Sequence, residues 1–290
     1  METFISNSKL NKINEQFKKD TKRFNTILTI FIISAIFFLL TTIYLAAVEN
    51  LEEGAIIIFV ILVFLVIFGI IGLFQFKNNF KSRHMLNEYA LELLELDGKQ
   101  LSYIDKTLRK TLVKDSIFID RFDSLSVKQA YSFNIENTEG KFFEVYASRS
   151  SGKSSYAVLE GFLITLDKTS EKKYNSFLKY NNYSKKGYYP HRVREHKKLY
   201  LFTPKNDNPL SIDNYAEVYE KLLKVNACEN AALYISNVKT EILIKIKIKP
   251  IKIKQIDEET LKQTISYYKT FYNIIKKNVQ FIDDFLNSEI

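Results

Sequence analysis

The sequence predicts a membrane protein with an N-terminal two-helix transmembrane hairpin and a cytoplasmic α+β domain, which has a mostly antiparallel sheet and a long C-terminal amphipathic helix. Three observations indicate this fold class: two long apolar runs near the N-terminus, a middle section of short β-rich runs, and an apolar repeat near the C-terminus. The predicted divisions are a cytoplasmic N-terminal tail (1–25), transmembrane helix 1 (26–48), a short external loop (49–54), transmembrane helix 2 (55–76), juxtamembrane helices (77–115) and the cytoplasmic α+β domain (116–290).

The two apolar runs are long enough to cross a bilayer. Residues 26–48 and 55–76 contain no Asp, Glu, Lys, Arg or His, and about 20 apolar residues in a helix span the hydrocarbon core. A secretory signal is the rival interpretation of the first run, since Ala46 and Ala47 are small residues of the kind found at cleavage sites. However, a signal has an apolar region of only about 7–15 residues close to the N-terminus. We therefore expect two spanning helices, with the lipid bilayer as a partner.

Lysine and arginine flank both apolar runs on the same side. Lys and Arg are frequent in residues 1–25 and absent from the acidic connector 49–54, and Lys77, Lys81 and Arg83 follow the second run. Because cytoplasmic flanks are enriched in Lys and Arg, we expect a protein of the cell membrane with both termini in the cytoplasm.

The formal net charge of +9 lies entirely in residues 77–290, because the cations and acids of residues 1–76 cancel. A basic domain at the cytoplasmic leaflet would be attracted to anionic lipid headgroups by roughly 1 kcal/mol per Lys or Arg near the surface. The alternative is a soluble, lysine-rich surface, since Asp and Glu are interspersed throughout. Nucleic-acid binding is a third class, but no motif beyond charge and tyrosines supports it, and we do not expect it.

Residues that could carry chemistry are few and scattered. The single cysteine, Cys228, excludes an internal disulfide and suits a reducing compartment. His191 and His196 are five positions apart, which places them on different faces of a helix or strand, and His84 lies beside the membrane. We therefore predict no catalytic residue, no metal site and no cofactor.

The segment 147–154 satisfies the loosest form of the P-loop pattern. Its phosphate-site candidates are Gly152, Lys153 and Ser154, and in a membrane-bound NTPase Lys153 would contact phosphates and Ser154 the magnesium ion. A P-loop needs a helix directly after it, whereas residues 154–167 are rich in β-branched and aromatic side chains and contain Gly161. The only downstream apolar run that ends in Asp, FLITLD, would have to form that same helix. We therefore favour a hairpin loop at 148–155.

The cytoplasmic part begins with helical spacing and then changes to β-rich runs. We predict a helix over 81–96 with a stop at Asp97-Gly98, and a second helical stripe over 101–112. Four β-rich runs follow: SIFI (116–119), YSFNI (131–135), KFFEVYA (141–147) and SYAVLEGFLITL (155–166). A hairpin turn is predicted at 137–140.

A strand with alternating isoleucine and lysine is predicted late in the domain. The preceding elements are, in order, a polar section (168–198), the strand LYLF (199–202), a helix from about Ile212 and the strand AALYI (231–235). In TEILIKIKIK (240–249), the side chains of Lys245, Lys247 and Lys249 share one face. Such a lysine stripe can bind phosphates, but we favour a soluble edge strand, and Pro250 predicts a bulge or break after it.

The last segment has the most regular pattern in the chain. Apolar residues step by four and three from Leu261 to Leu286, and 257–259 supply an N-cap and an acidic first turn. This spacing fits either a coiled-coil seam for a homo-oligomer or a helix on the domain's own core. Phe271, Ile274, Phe281 and Phe285 widen the apolar stripe, so we favour docking on the core.

Several segments in this order resemble the bacterial domain of unknown function 3137. They are two N-terminal spanning helices, SIFI, FFEVYA followed by VLEGFLITLD, LYLFTPKND before a helix, and AALYISN with its Lys-Ile strand. In that family a strand leads into an aromatic, basic, Gly, Leu, Phe block, and residues 158–162 are similar, although Glu160 stands where a basic residue is usual. The resemblance implies a membrane-anchored protein without established activity, sometimes encoded near the LemA membrane-protein family, and it provides no catalytic residue.

The sequence therefore predicts a noncatalytic module that is anchored by two helices. Its basic cytoplasmic domain is expected to bind a membrane protein partner, a second copy of the chain through the C-terminal helix, or the membrane surface. A membrane-bound NTPase and a membrane-tethered nucleic-acid binder are the alternatives.

Overall fold

The structure, a computed structural model, divides the chain into two compact units. It describes residues 5–47, 52–119, 122–151, 154–168, 176–180, 187–193, 198–205, 212–246, 248–249, 251 and 253–288. The first unit consists of residues 1–93 and 251–266, and the second consists of residues 94–250 and 267–290.

Long helices form most of the first unit. They are α1 (Asn7–Ala47), α2 (Glu52–Asn78) and α3 (Lys81–Leu96), the last of which continues into the second unit. Both α1 and α2 are long and apolar enough to cross a membrane. Residues 7–25, which we expected only as a tail, are helical because they lack Gly and Pro and repeat Leu10, Ile13 and Phe17 at helical spacing.

The polar end of α1 is fixed to the start of α3 by a buried carboxylate. The Asp20 carboxylate accepts hydrogen bonds from the backbone N–H of Ser82 at 3.0 Å and from its hydroxyl at 2.8 Å. It thereby caps the first turn of α3, whose N–H groups have no partner within their own helix. Phe17 packs edge-on against Phe80 in the short α2–α3 connection, with ring centroids 6.3 Å apart.

The apolar parts of α1 and α2 approach closely at one glycine. A Cβ added to Gly69 would lie 2.0 Å from Cε2 of Phe31, far inside the normal contact distance of carbon atoms. At Gly72, one turn further along α2, an added Cβ would meet no atom within 4 Å. Gly69 therefore makes the space into which the Phe31 ring packs.

An antiparallel sheet dominates the second unit. Its described strands are β1 (Leu101–Tyr103), β2 (Ser124–Ile135), β3 (Thr138–Ser151), β4 (Ser154–Leu166), β5 (Ser176–Tyr180), β6 (Tyr188–Arg192), β7 (Leu199–Pro204), β8 (Ala231–Ile235) and β9 (Thr240–Ile244). They are ordered β1-β2-β3-β4-β9-β8-β5-β7-β6. The helices are α4 (Lys106–Lys114), α5 (Ile212–Asn226) and α6 (Glu258–Ser288), of which α6 begins in the first unit.

One face of the sheet is covered by the second-unit part of α6. Phe271 is fully buried, and its ring centroid lies 5.2 Å from that of Phe142 on β3 and 5.9 Å from that of Tyr131 on β2. Phe162 on β4 stacks on Phe142 at 5.1 Å. The prediction that the C-terminal helix docks on the core is confirmed. Its predicted N-cap is also confirmed, because Asp257 accepts a hydrogen bond from the N–H of Thr260 at 2.8 Å.

The other face packs on α4 and the segment after it. Ser116–Ile119, predicted as a strand, instead forms a buried turn, and its apolar side chains join the core of this face. The buried carboxylate of Glu241 on β9 explains the difference. It accepts hydrogen bonds from the Ser116 hydroxyl and the Ile117 N–H, both at 2.9 Å. In a strand the Ile117 N–H would bind a neighbouring strand, but here the Glu241 side chain binds it.

Three further predictions are wrong in detail. Leu101 begins strand β1 rather than a helix, and α4 starts only after Asp105, whose side chain accepts a hydrogen bond from the N–H of Thr107. The β2–β3 turn lies at Glu136 and Asn137 rather than at 137–140. Both residues have positive φ, 50° and 62°, as a two-residue type I′ hairpin requires.

The strand with lysines is not an edge strand. β9 pairs with β4 on one side and β8 on the other, and it ends at Ile244, before the first lysine of the predicted stripe. Four of its five residues are buried, since both faces of the sheet are covered at this point. Lys247 and Pro250, the site of the predicted bulge, lie outside the described residues.

Candidate functional site

The P-loop pattern spans the connection between strands β3 and β4. Strands β3 and β4 pair antiparallel up to Ser151 and Ser154, and residues 155–166 continue as a strand. Gly152 and Lys153 lie outside the described residues, and Ser154 is exposed at the start of β4. The helix that a P-loop places directly after its lysine is therefore replaced by a strand. The predicted hairpin is confirmed, but its strands extend into residues 148–155, which were predicted as its loop.

The lysines that follow β9 do not form a continuous stripe on a strand. The Lys245 ammonium lies 3.5 Å from the carboxylate of Glu160, and the Lys245 N–H donates to the carbonyl of Asn230 at 3.0 Å. Glu160 therefore neutralises one charge of the proposed phosphate-binding stripe. Among the described residues from 245 to 254, none belongs to a strand.

His191 and Cys228 lie in ordinary structural surroundings. His191 Nε2 lies 3.0 Å from the hydroxyl of Thr203 on the neighbouring strand, an ordinary cross-strand contact. His196 lies outside the described residues. Burial raises the pKa of the Cys228 thiol, which lowers the fraction of reactive thiolate at neutral pH. In the part of the chain that the structure describes, no three His, Cys, Asp or Glu side chains come together as metal ligands.

A groove between α5 and α6 is a large open concavity of the second unit. We call it the α5–α6 groove, and its volume is about 850 Å³. Val218 on α5 and Phe281 and Phe285 on α6 line its apolar part, each less than one tenth exposed. Lys221 and Lys277 also line it, and the Lys221 ammonium lies 2.8 Å from the Glu217 carboxylate.

Two buried asparagines hold the walls of the groove in register. The Asn226 side-chain amide on α5 donates to the Asn278 carbonyl oxygen on α6 at 3.0 Å, and Asn278 returns a hydrogen bond at 2.7 Å. Each amide also donates to a main-chain carbonyl of its own helix, four residues earlier. Sequence reasoning missed this pair. The available signal was Asn278 itself, a polar residue on the apolar stripe between Ile275 and Ile282.

The α5–α6 groove combines an apolar floor with charges of both signs. The described residues that line it include no His, Cys, Ser, Thr or Tyr.

The surface of α1 and α2 has a different character. In each helix, only 6% of the most apolar 18-residue stretch is buried. Large side chains such as Phe37, Tyr44, Phe68 and Phe74 are about two-thirds exposed. Soluble monomers rarely expose a continuous apolar patch larger than a few hundred Å², and α1 and α2 have the length and composition of helices that can cross a membrane.

Comparison of the chain with family models, with curated proteins and with solved structures finds no match. Function is therefore inferred from the helices and the groove.

Proposed function

We propose that this chain is a membrane-anchored, noncatalytic binding module. In this proposal α1 and α2 cross the cell membrane, both termini are cytoplasmic, and the basic cytoplasmic domain binds a protein partner or the membrane surface. The observation that carries the proposal is the exposure of most residues in the apolar parts of α1 and α2. Lipid tails cover such a surface without the need for a protein partner.

The positions of the charges support this orientation. Lys18, Lys19, Lys22 and Arg23 precede the apolar part of α1, and Lys77 ends α2 on the same side, whereas the connector between the helices carries acids. Positive flanks are retained on the cytoplasmic side. The resemblance to domain of unknown function 3137 remains a prediction that agrees with this anchoring.

The anchoring is tested by cysteine accessibility in a Cys228→Ser background. We expect Glu52→Cys to react with a membrane-impermeant maleimide in intact cells. Ser8→Cys and Asn287→Cys should react only after the membrane is permeabilised. Leu39→Cys, exposed in the isolated chain, should be protected in the membrane and react after denaturation. Labelling of Leu39→Cys in intact membranes, or release of the chain by alkaline carbonate, would contradict the proposal.

Partner binding is tested with charge reversal at the α5–α6 groove. The full chain is purified from detergent-solubilised membranes, and its stoichiometric partners are compared with those of Lys221→Glu/Lys277→Glu. The exposed pair Lys106→Glu/Lys110→Glu on α4 gives the same change of charge elsewhere. We expect a defined partner that is lost only with the groove variant. If no partner is recovered, and the reconstituted chain also fails to draw anionic liposomes to its cytoplasmic domain, the binding part of the proposal is wrong.

A further inference from the structure

A shallow, open depression runs along one face of α1, where its polar part meets its apolar part, and all the residues that line it belong to this helix. We call it the α1 groove. It has a volume of about 620 Å³, and its lining residues fall on one face between Phe17 and Ile30. They recur in pairs every four positions, so they form a stripe along the helix. At 1.5 Å per residue, the stripe is about 20 Å long.

The polar end of the α1 groove carries two cations and an unused hydroxyl. Lys18 and Lys22 are one turn apart and exposed, and no carboxylate of the described residues lies within 4 Å of either ammonium. The Thr21 hydroxyl oxygen between them is buried and has no hydrogen-bond partner in the described part of the chain. The Asp20 carboxylate is close to these lysines in sequence, but it points to the other side of the helix, where it accepts hydrogen bonds from Ser82.

The other end of the α1 groove is apolar and continuous with the surface that faces lipid. Ile30 lines this end and is 59% exposed, and the large apolar side chains of the anchor follow it. Asn25 and Thr26 lie between the two ends and add an amide and a hydroxyl. The predicted spanning segment begins at Thr26, so the groove extends from the headgroup level into the hydrocarbon.

We propose that the α1 groove binds one anionic phospholipid. The lipid phosphate lies between Lys18 and Lys22 and accepts a hydrogen bond from the Thr21 hydroxyl, which is exposed by rotation of that side chain, and an acyl chain lies along Ile30. Neighbouring positions one turn apart are about 5–6 Å from each other, which lets both ammonium groups contact one phosphate. The inference rests on the proposed anchoring, because only insertion of α1 brings lipid headgroups to this level.

The test measures lipid affinity of the full chain by native mass spectrometry in detergent. Phosphatidylglycerol and phosphatidylcholine are titrated separately. We expect phosphatidylglycerol to bind the wild type more tightly than phosphatidylcholine does. Lys18→Gln/Lys22→Gln should weaken it about 30-fold, which corresponds to about 1 kcal/mol per lysine. Thr21→Val should weaken it several-fold, because the hydroxyl is lost and the shape is kept.

The matched control is Lys106→Gln/Lys110→Gln, which removes two exposed lysines at the same four-residue spacing on α4. We expect it to leave the affinity for phosphatidylglycerol unchanged. Equal loss in both double variants, no preference over phosphatidylcholine, or displacement of the lipid by excess inorganic phosphate would overturn the proposal. Reconstitution into pure phosphatidylcholine vesicles separates the two proposals. If the chain resists carbonate extraction from these vesicles, the anchoring is supported. If, in addition, Lys18→Gln/Lys22→Gln binds phosphatidylglycerol as tightly as the wild type, the anchoring stands and the lipid site is wrong.

Discussion

Replacing the buried asparagines between α5 and α6 tests how the α5–α6 groove is built. Asn278 is fully buried, and Asn226 is 8% exposed. Asn278→Ala removes both interhelical hydrogen bonds and leaves the Asn226 carbonyl oxygen without its donor. An unsatisfied buried polar group costs about 1–3 kcal/mol, and the better helix propensity of alanine offsets at most about 0.7 kcal/mol of it.

The double variant distinguishes the loss of the hydrogen bonds between Asn226 and Asn278 from the other effects of shortening each side chain. Asn226→Ala alone should cost about as much as Asn278→Ala, whereas the double variant should cost little more than either single change. The expected coupling energy is therefore about 1–2 kcal/mol. Asn273→Ala, on the exposed side of α6, is the control and should change the free energy of unfolding by less than about 0.5 kcal/mol.

The assay is urea unfolding of the full chain in detergent, followed by near-ultraviolet circular dichroism of tyrosine. The chain has 18 tyrosines and no tryptophan, so this signal reports tyrosine packing. A loss of 2 kcal/mol should lower the urea midpoint by roughly 1 M for a slope near 2 kcal/mol/M. Strictly additive single variants, or an Asn273→Ala shift as large as that of Asn278→Ala, would refute the role of the pair.

Three other predictions concern the anchor and the hairpin. Gly69→Ala should destabilise the α1–α2 pair by about 1–3 kcal/mol through overpacking, as measured by detergent-driven unfolding. Gly72→Ala should be neutral or stabilising, and Phe31→Ala should suppress the Gly69→Ala defect; equal effects at the two glycines would contradict this. Burial alone would raise the pKa of Asp20, but its hydrogen bonds and a nearby arginine outweigh burial and hold that pKa below its usual value of 3.8. The carboxylate therefore stabilises the fold at neutral pH and loses this effect as the pH falls through the lowered pKa, so Asp20→Ala should cost about 0.5–2 kcal/mol at pH 7 and flatten the acid limb of a thermal-stability profile. ATP with magnesium should leave the melting temperature of wild type and Lys153→Ala unchanged, and a nucleotide-dependent rise that disappears in the variant would revive the P-loop interpretation.

The elements that the sequence predicted correctly are those determined by residues close together in the chain. The 3.6-residue period placed α6 and its buried side, because a long amphipathic helix has one way to bury its stripe. The β-branched and aromatic residues after Ser154 predicted a strand where a P-loop would need a helix. The apolar length of α1 and α2 identified both helices. These features are set within a window of some 15–40 residues.

Features that depend on distant partners escaped the sequence. The apolar run 116–119 has the composition of a strand, but Glu241, more than a hundred positions later, binds its donors. The isoleucine-lysine alternation suggested an edge strand, whereas β9 pairs with β4 on one side and with β8 on the other. The α1 groove was missed because its residues are individually ordinary. Their shared face appears only once residues 7–25 are known to be helical.

Because α1 is one uninterrupted helix, a tilt of its apolar half also moves its polar end. Its 41 residues form a rod of about 60 Å, twice the thickness of a hydrocarbon core. Residues 7–25 account for about 28 Å of that rod. If the bilayer holds the apolar half, a 20° tilt to match a thinner membrane moves the Asn7 end sideways by about 10 Å. In a membrane-spanning α1, a change in membrane thickness would thereby become a displacement of the Asn7 end, without any hinge in the helix.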